Sequence, residues 1–171
     1  MRLYSLLFFL AILFLILTIS FIFREKVSQR KASRQKKVLF LCVHNSFRSQ
    51  IAEAYFNKYA MEKNFNWQAS SAGFLKKDQV NEKAVTLMRE EGIDISRKKP
   101  KLMTGEMLKK ADKIIVLCKE CQEMGLCLAL PKDKDIEYWR LENPAEVELD
   151  KARKIRNLIK EKVLNLIEKL K

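Results

Sequence analysis

After residue 37 the spacing of hydrophobic positions switches repeatedly between unbroken apolar runs and helical periodicity. Val38–Cys42 is a continuous apolar run, short enough for a strand buried on both faces. Ser49–Lys63 then reads as a helix with Ile51, Ala54, Tyr55 and Lys58 on one side. Trp67–Ser71 predicts a second strand ending at Gly73, and Asn81–Glu91 a helix with Ala84, Val85 and Met88 inward, stopped by Gly92. Thr104–Lys110 opens a third helix, Lys113–Cys118 is a strand as apolar as the first, and Ile136–Tyr138 is a fourth. The chain closes on an amphipathic helix from about Ala145 to Leu170, with Ile155, Leu158, Ile159, Val163, Leu166, Ile167 and Leu170 on one side. Such alternation predicts an α/β fold, a parallel sheet covered by helices, with its site at the carboxyl ends of the strands.

The first residues follow a different pattern. Leu3 to Phe23 is a stretch of 21 residues whose only polar side chains are Tyr4, Ser5, Thr18 and Ser20, long enough to span a bilayer. A cleaved signal peptide would have a shorter apolar region ending in small residues, which Ile19-Ser20-Phe21-Ile22-Phe23 does not provide. The expectation is a transmembrane anchor over residues 1–23, a basic juxtamembrane linker over 24–37 and a catalytic domain over 38–171. Arg24 to Lys37 carries seven basic residues and one acidic. Basic flanks stay inside, which predicts a single-pass cell-membrane protein with its catalytic domain in the cytoplasm.

Charge changes the picture of partners. Of the net +13, residues 1–37 hold +7, with eight Lys/Arg and one Asp/Glu. The basic excess therefore favours anionic lipid at the membrane over nucleic acid. The 134 residues beyond it fit one domain.

The candidate chemistry sits at the end of the first strand, in Cys42-Val43-His44-Asn45-Ser46-Phe47-Arg48-Ser49. A chain that turns there points the amides of Val43, His44, Asn45, Ser46 and Phe47 inward, and the helix that follows adds its positive end. A tetrahedral oxyanion such as phosphate or arsenate fits that cradle. Arg48 offers a planar fork that meets two oxygens at once, and the same field favours Cys42 as a thiolate nucleophile. Ser49 is a candidate N-cap and a hydroxyl near the sulfur. Asn45 tolerates left-handed angles and can hold the loop's shape. His44, the single histidine, reads as a loop residue whose ring points outward. The Cys-to-Arg spacing alone is weak; the strand before it and the helix after it give it weight.

Val38–Ala54, VLFLCVHNSFRSQIAEA, resembles the signature of the low-molecular-weight protein tyrosine phosphatase superfamily, and more closely its thioredoxin-coupled arsenate reductase branch, where Gln50 replaces the proline usual in the phosphatases. Further matches are Ser71-Ala72-Gly73, Gly92-Ile93-Asp94-Ile95-Ser96, Ala111-Asp112, Val116-Leu117-Cys118, Cys127 through Pro131, and Trp139-x-Leu141-x-x-Pro144-Ala145. The resemblance covers about residues 37–171. It implies a three-layer α/β fold with a four-stranded parallel sheet. It also implies a membrane-anchored arsenate reductase in which Cys42 attacks arsenate, Arg48 and the loop amides hold the oxyanion, and Cys118 and Cys127 carry a disulfide relay to thioredoxin or another thiol reductant, with no tightly bound cofactor.

Within that resemblance the distal cysteines leave alternatives. Cys121 is extra, and the loop from Cys118 to Cys127 is longer than in the reductases, so Cys121 is a possible relay member. Cys118 could instead simply pack in the core. Zinc at Cys118, Cys121 and Cys127 lacks a fourth ligand. Two departures bear on the chemistry. Asn143 stands where the family has an acidic general acid before Pro144, leaving protonation to water or Glu142. Lys101 stands where potassium-stabilised reductases have an acidic cation ligand, although Asn45, Glu53 and Ser71 match the other ligand positions. The alternative functions are a protein tyrosine phosphatase working through a cysteinyl-phosphate, and a weakly active or non-catalytic oxyanion-binding module at the membrane.

Overall fold

The computed structural model describes residues 12–22, 34–75 and 77–171. It divides into two compact units, Met1–Gln35 and Lys36–Lys171.

In the first unit residues 12–22 are helical. Among the described residues no helix is long and apolar enough to cross a membrane. This overturns the expected single-pass placement in the cell membrane with a cytoplasmic domain. Residues 1–11 and 23 of the expected anchor, and 24–33 of the expected linker, lie outside the described residues.

The second unit is the expected α/β body. Its strands are β1 (Lys36–Cys42), β2 (Trp67–Gly73), β3 (Lys113–Cys118) and β4 (Ile136–Leu141). They form one parallel sheet in the order β2-β1-β3-β4. The helices are α1 (Arg48–Glu62), α2 (Glu82–Arg89), α3 (Gly105–Lys110), α4 (Glu120–Glu123) and α5 (Leu149–Lys169), with a 3-10 turn at Leu126–Ala129.

Successive strand residues point to opposite faces, and the two faces feed two cores. Val38, Phe40, Ile115, Leu117, Trp139 and Leu141 pack with α1, α2 and α5. Leu39, Leu41, Ile114 and Val116 pack on the other face with Leu108, Ala111, Cys121 and Leu130. The result is three layers, helices on each side of a sheet whose inner strands β1 and β3 are buried on both faces. Because β1 and β3 are adjacent, with Leu41 opposite Val116, their carboxyl ends emerge side by side.

Three boundaries differ from the periodicity. β4 runs past Tyr138 because Trp139 and Leu141 are buried against the α1/α5 layer, which alternation over three residues did not disclose. α5 begins at Leu149, after a loop through Asn143-Pro144-Ala145 whose turn is held by the Ala145 amide donating to Asn143 Oδ1 at 3.2 Å. The stretch after Cys118, read as a flexible loop, instead holds α4 and the 3-10 turn.

Of the expected apolar side, Ile155, Ile159, Val163, Leu166 and Ile167 are buried, with Ile159 fully so; Leu158 is 41% exposed, and Leu170, just past the end of α5, is half-buried. Ile159→Ala should therefore cost about 2–5 kcal/mol in urea unfolding, and Leu158→Ala about 0.5 kcal/mol or less. Equal losses at the two positions would contradict this placement of the helix.

Candidate active site

The loop from Cys42 to Arg48 is shaped by its neighbours before any ligand is considered. Cys42 lies opposite Gly73 in the β1/β2 register. A Cβ on Gly73 would come within 2.7 Å of the His44 carbonyl carbon and 2.8 Å of the Asn45 nitrogen, so only glycine lets the loop fold back this closely. The next amides continue the attachment: Phe74 donates to the Cys42 carbonyl at 3.2 Å, Leu75 to that of Val43 at 2.8 Å, and Asn81 to that of Ser46 at 2.8 Å. Asn45 takes a left-handed φ of 52°. The turn delivers the chain into α1 at Arg48, with Phe47 as the N-cap residue. Ser49 is thus inside the helix, not its cap.

Ser49 faces the sulfur instead, with its Oγ 3.0 Å from Cys42 Sγ. Either atom can be the donor of that bond. Asn45 Nδ2 donates to Ser49 Oγ and to Ser71 Oγ, each at 2.8 Å. Ser49 Oγ thus accepts from Asn45 and still has its proton to give; toward a thiolate sulfur, which can only accept, the hydroxyl is the donor. Ser71 in turn donates to Glu53 Oε2. Asn45 Oδ1 accepts from the Lys101 amide at 2.7 Å and from Gln50 Nε2 at 3.1 Å. Gln50 also reaches the carbonyls of Asn45 and Lys99, at 3.1 and 3.3 Å. A proline there could make none of these bonds.

Asn45, Glu53 and Ser71 come together, yet they do not form a receptacle for a cation. Lys98 Nζ lies 2.5 Å from Glu53 Oε1 and Lys101 Nζ 3.5 Å from Oε2, so the carboxylate is already met by two ammonium groups. Burial pushes the Glu53 carboxyl up, but the hydrogen bonds from Lys98 and Ser71 and the two lysine charges outweigh it, holding it below its ordinary 4.5. Among the described residues no cluster of three or more His, Cys, Asp or Glu is placed to hold a metal, zinc at the three distal cysteines included.

A cavity of about 380 Å³ opens over the loop. Cys42, His44, Arg48, Glu120, Asn143 and Glu146 are on its wall. A larger cavity, about 750 Å³, lies between α2 and residues 96–99 and contains no cysteine, so volume is a poorer guide here than chemistry. Cys42 is 3% exposed. Arg48 is fixed by Nη1 donating to the Leu141 carbonyl at 2.8 Å, and it meets Glu120 Oε2 at 2.9 Å and Oε1 at 3.2 Å. His44 is exposed, as expected of an outward ring. Burial and the charges of Lys77 and Arg48 lower its pKa, which keeps the ring neutral.

Asn143 reaches the cavity, and its Nδ2 donates to Glu146 Oε1 at 2.5 Å. Glu142 is turned away, ion-paired with Lys151 at 2.7 Å on the wall of a different cavity. The expectation that Glu142 could supply a proton therefore fails on direction; the carboxyls on the wall are Glu120 and Glu146. Sequence reasoning missed both, together with Lys98, which reads as one member of an exposed basic run. Glu120 did carry a signal, lying between Cys118 and Cys121.

The distal cysteines are arranged differently from their spacing in the reductases. Cys118 and Cys121 form a disulfide with their Cα atoms 5.5 Å apart, leaving Cys42 and Cys127 as free thiols. Cys42, Cys118 and Cys121 belong to one buried cluster, against which half-buried Cys127 packs. Burial raises the pKa of the Cys127 thiol.

A parallel four-stranded sheet with a Cys-to-Arg oxyanion loop at the tip of its first strand defines a class of enzyme. Residues 37–171 match the low molecular weight phosphotyrosine protein phosphatase family, and the chain belongs to it. Its relatives place it in the arsenate reductase branch: it is 38% identical over 114 residues to an arsenate reductase of Halalkalibacterium halodurans, covering 67% of this chain and 78% of that protein. An arsenate reductase from Archaeoglobus fulgidus is 34% identical with a TM-score of 0.64, covering 77% of this chain and 98% of that one. The low molecular weight protein tyrosine phosphatase of T. tengcongensis is 28% identical with a TM-score of 0.71, covering 78% and 99%.

Two outcomes follow from the loop and its anchors. Gly73→Ala should destabilise the fold by about 1–3 kcal/mol, because the new methyl meets backbone on both sides. Urea unfolding measures it, and an unchanged midpoint would show that the loop tolerates displacement. Glu53, with its folded pKa lowered, adds stability that is complete above 4.5 and is lost as pH falls through the lower folded value. The stability gap between the parent and Glu53→Gln should therefore be full at neutral pH and shrink below 4.5. A gap that widens on acidification would reverse the assigned sign.

Proposed function

We propose that residues 38–171 form the catalytic domain of a thiol-dependent arsenate reductase. The observation that carries this reading is the hydrogen-bond chain from Glu53 through Ser71, Asn45 and Ser49 to Cys42 Sγ, which holds a sulfur nucleophile inside an oxyanion cradle. The amides of Val43, His44, Asn45, Ser46 and Phe47 and the guanidinium of Arg48 bind the oxygens of arsenate. Cys42 attacks arsenic, forming a sulfur–arsenic bond and releasing water.

Cys118 then attacks Cys42 Sγ. The sulfur–arsenic bond breaks with its electron pair going to arsenic, arsenite leaves, and Cys42–Cys118 forms. A third thiol attacks Cys118 and frees Cys42. The observed Cys118–Cys121 pairing supports Cys121 in that role ahead of Cys127. Cys127, half-buried against the same cluster, suits an exit toward a dithiol protein of the thioredoxin type. The electrons come from thiols, so no tightly bound cofactor is required.

Family membership and the phosphatase neighbour favour one second reading, phosphomonoester hydrolysis through a cysteinyl-phosphate. An aryl phosphate needs its leaving oxygen protonated, and Asn143 cannot do so. Arsenate, whose oxygens exchange readily with water, depends less on that acid. A bare oxyanion-binding module is the third possibility, and it predicts binding without turnover of either substrate.

The full chain with thioredoxin and its reductase should consume NADPH on addition of arsenate. Cys42→Ser and Cys118→Ser should abolish this, whereas Asn143→Asp should raise hydrolysis of an aryl phosphate by about tenfold or more while changing arsenate reduction little. Arsenate-dependent disulfide mapping should yield Cys42–Cys118 followed by Cys118–Cys121. No NADPH consumption, with efficient phosphate ester hydrolysis by the parent, would replace the reductase reading with the phosphatase one.

A further inference from the structure

We propose that Glu120 is a redox-linked gate on the oxyanion site: the Cys118–Cys121 disulfide seats its carboxylate on Arg48, and reduction of that disulfide releases Arg48 for the oxyanion. The inference rests on the reading of Arg48 as the anion-binding fork and extends it to the control of that fork.

The geometry begins with the short ring. Cys118 ends β3 and is held by the sheet, while Cys121 lies on α4 and is fully buried. Joining their sulfurs closes a loop containing only Lys119 and Glu120, and Lys119 is helical at φ −67°, ψ −44°. The backbone of Glu120 is therefore tied to the strand end, which keeps its side chain within reach of Arg48. Its carboxylate meets Arg48 Nη1 with both oxygens, at 2.9 and 3.2 Å, and both residues line the Cys42 cavity. Arg48 itself is anchored by the Leu141 carbonyl and is 5% exposed at its side chain, so it has little freedom to retreat. In this state an incoming dianion meets a guanidinium already neutralised and a carboxylate of its own sign.

Reduction removes the restraint. A dithiol attacks one sulfur of the pair, forms a mixed disulfide and is displaced by its own second thiol; two electrons and two protons pass to Cys118 and Cys121, which become thiols. The Glu120–Glu123 turn that remains is far shorter than a helix stable on its own. Glu120 is part-exposed and can then turn toward solvent. The consequence is an ordering of events. Oxyanion is refused while Cys118 is unable to accept the Cys42 adduct, and admitted once Cys118 is a thiol.

The test uses the full chain with Cys42→Ser, which removes covalent chemistry, and inorganic phosphate as probe. Phosphate affinity is measured by titration calorimetry with the Cys118–Cys121 bond intact, verified by mass spectrometry, and again after reduction by a phosphine. Reduction should tighten binding by roughly tenfold or more, the scale of freeing one charged hydrogen-bond partner. Adding Glu120→Gln should make the oxidised protein bind like the reduced one, and Cys121→Ser should bind like the reduced protein without any reductant. Equal affinities in the two redox states, or a difference that survives Glu120→Gln, would overturn the gate while leaving the cradle intact. Absence of phosphate binding in every variant and state would overturn the cradle and the gate together.

Discussion

The site depends on one amide side chain. Asn45 sits in a left-handed turn where its two N–H bonds go to Ser49 and Ser71 and its oxygen collects Gln50 and the Lys101 amide. Those bonds tie together the oxyanion loop, the first helix, the second strand and the segment before the third helix. An aspartate at this position would accept bonds but could not donate to both serines, and Ser49 would lose the anchor that holds it beside Cys42. The geometry of the nucleophile is thus set by a residue that never needs to touch the substrate.

Much of this was legible in the sequence because it rests on local signals. The apolar runs at Val38–Cys42 and Lys113–Cys118 could only be buried strands, and their parallel pairing put Cys42 and Cys118 at one end of the sheet. The oxyanion loop declared itself through Cys42, Arg48 and the elements on either side. What stayed hidden was set by tertiary contact. Lys98 looked like one more solvated charge until Glu53 met it, and Glu120, marked only by its place between two cysteines, gained a partner when the fold brought Arg48 beside it. Glu142 and Glu146 flank Asn143-Pro144 closely in sequence, and only the turn decides that the second faces the cavity. The apolar amino-terminal run misled in the other direction: among the described residues no helix is long and apolar enough to cross a membrane.

The cavity wall also explains why one fold can serve two chemistries. The cradle stabilises negative charge on any tetrahedral oxyanion, and discrimination falls to the groups around its rim. At the rim this chain has an amide, Asn143, where an acid would assist an ester, and beneath it Cys118 and Cys121 share a buried cluster with Cys42. The shift between hydrolysis and reduction is therefore written in a few residues outside the loop, and the binding apparatus can remain the same.

The two ammonium groups at Glu53 carry a further meaning. A charge borne on a side chain has no dissociation step, so its occupancy does not follow the composition of the medium as that of a free ion does. The counter-charge that steadies the hydrogen-bond chain behind Cys42 is inherited with the polypeptide. A protein built this way exchanges adjustability for constancy: salt can screen the charges opposite Glu53 but cannot remove them.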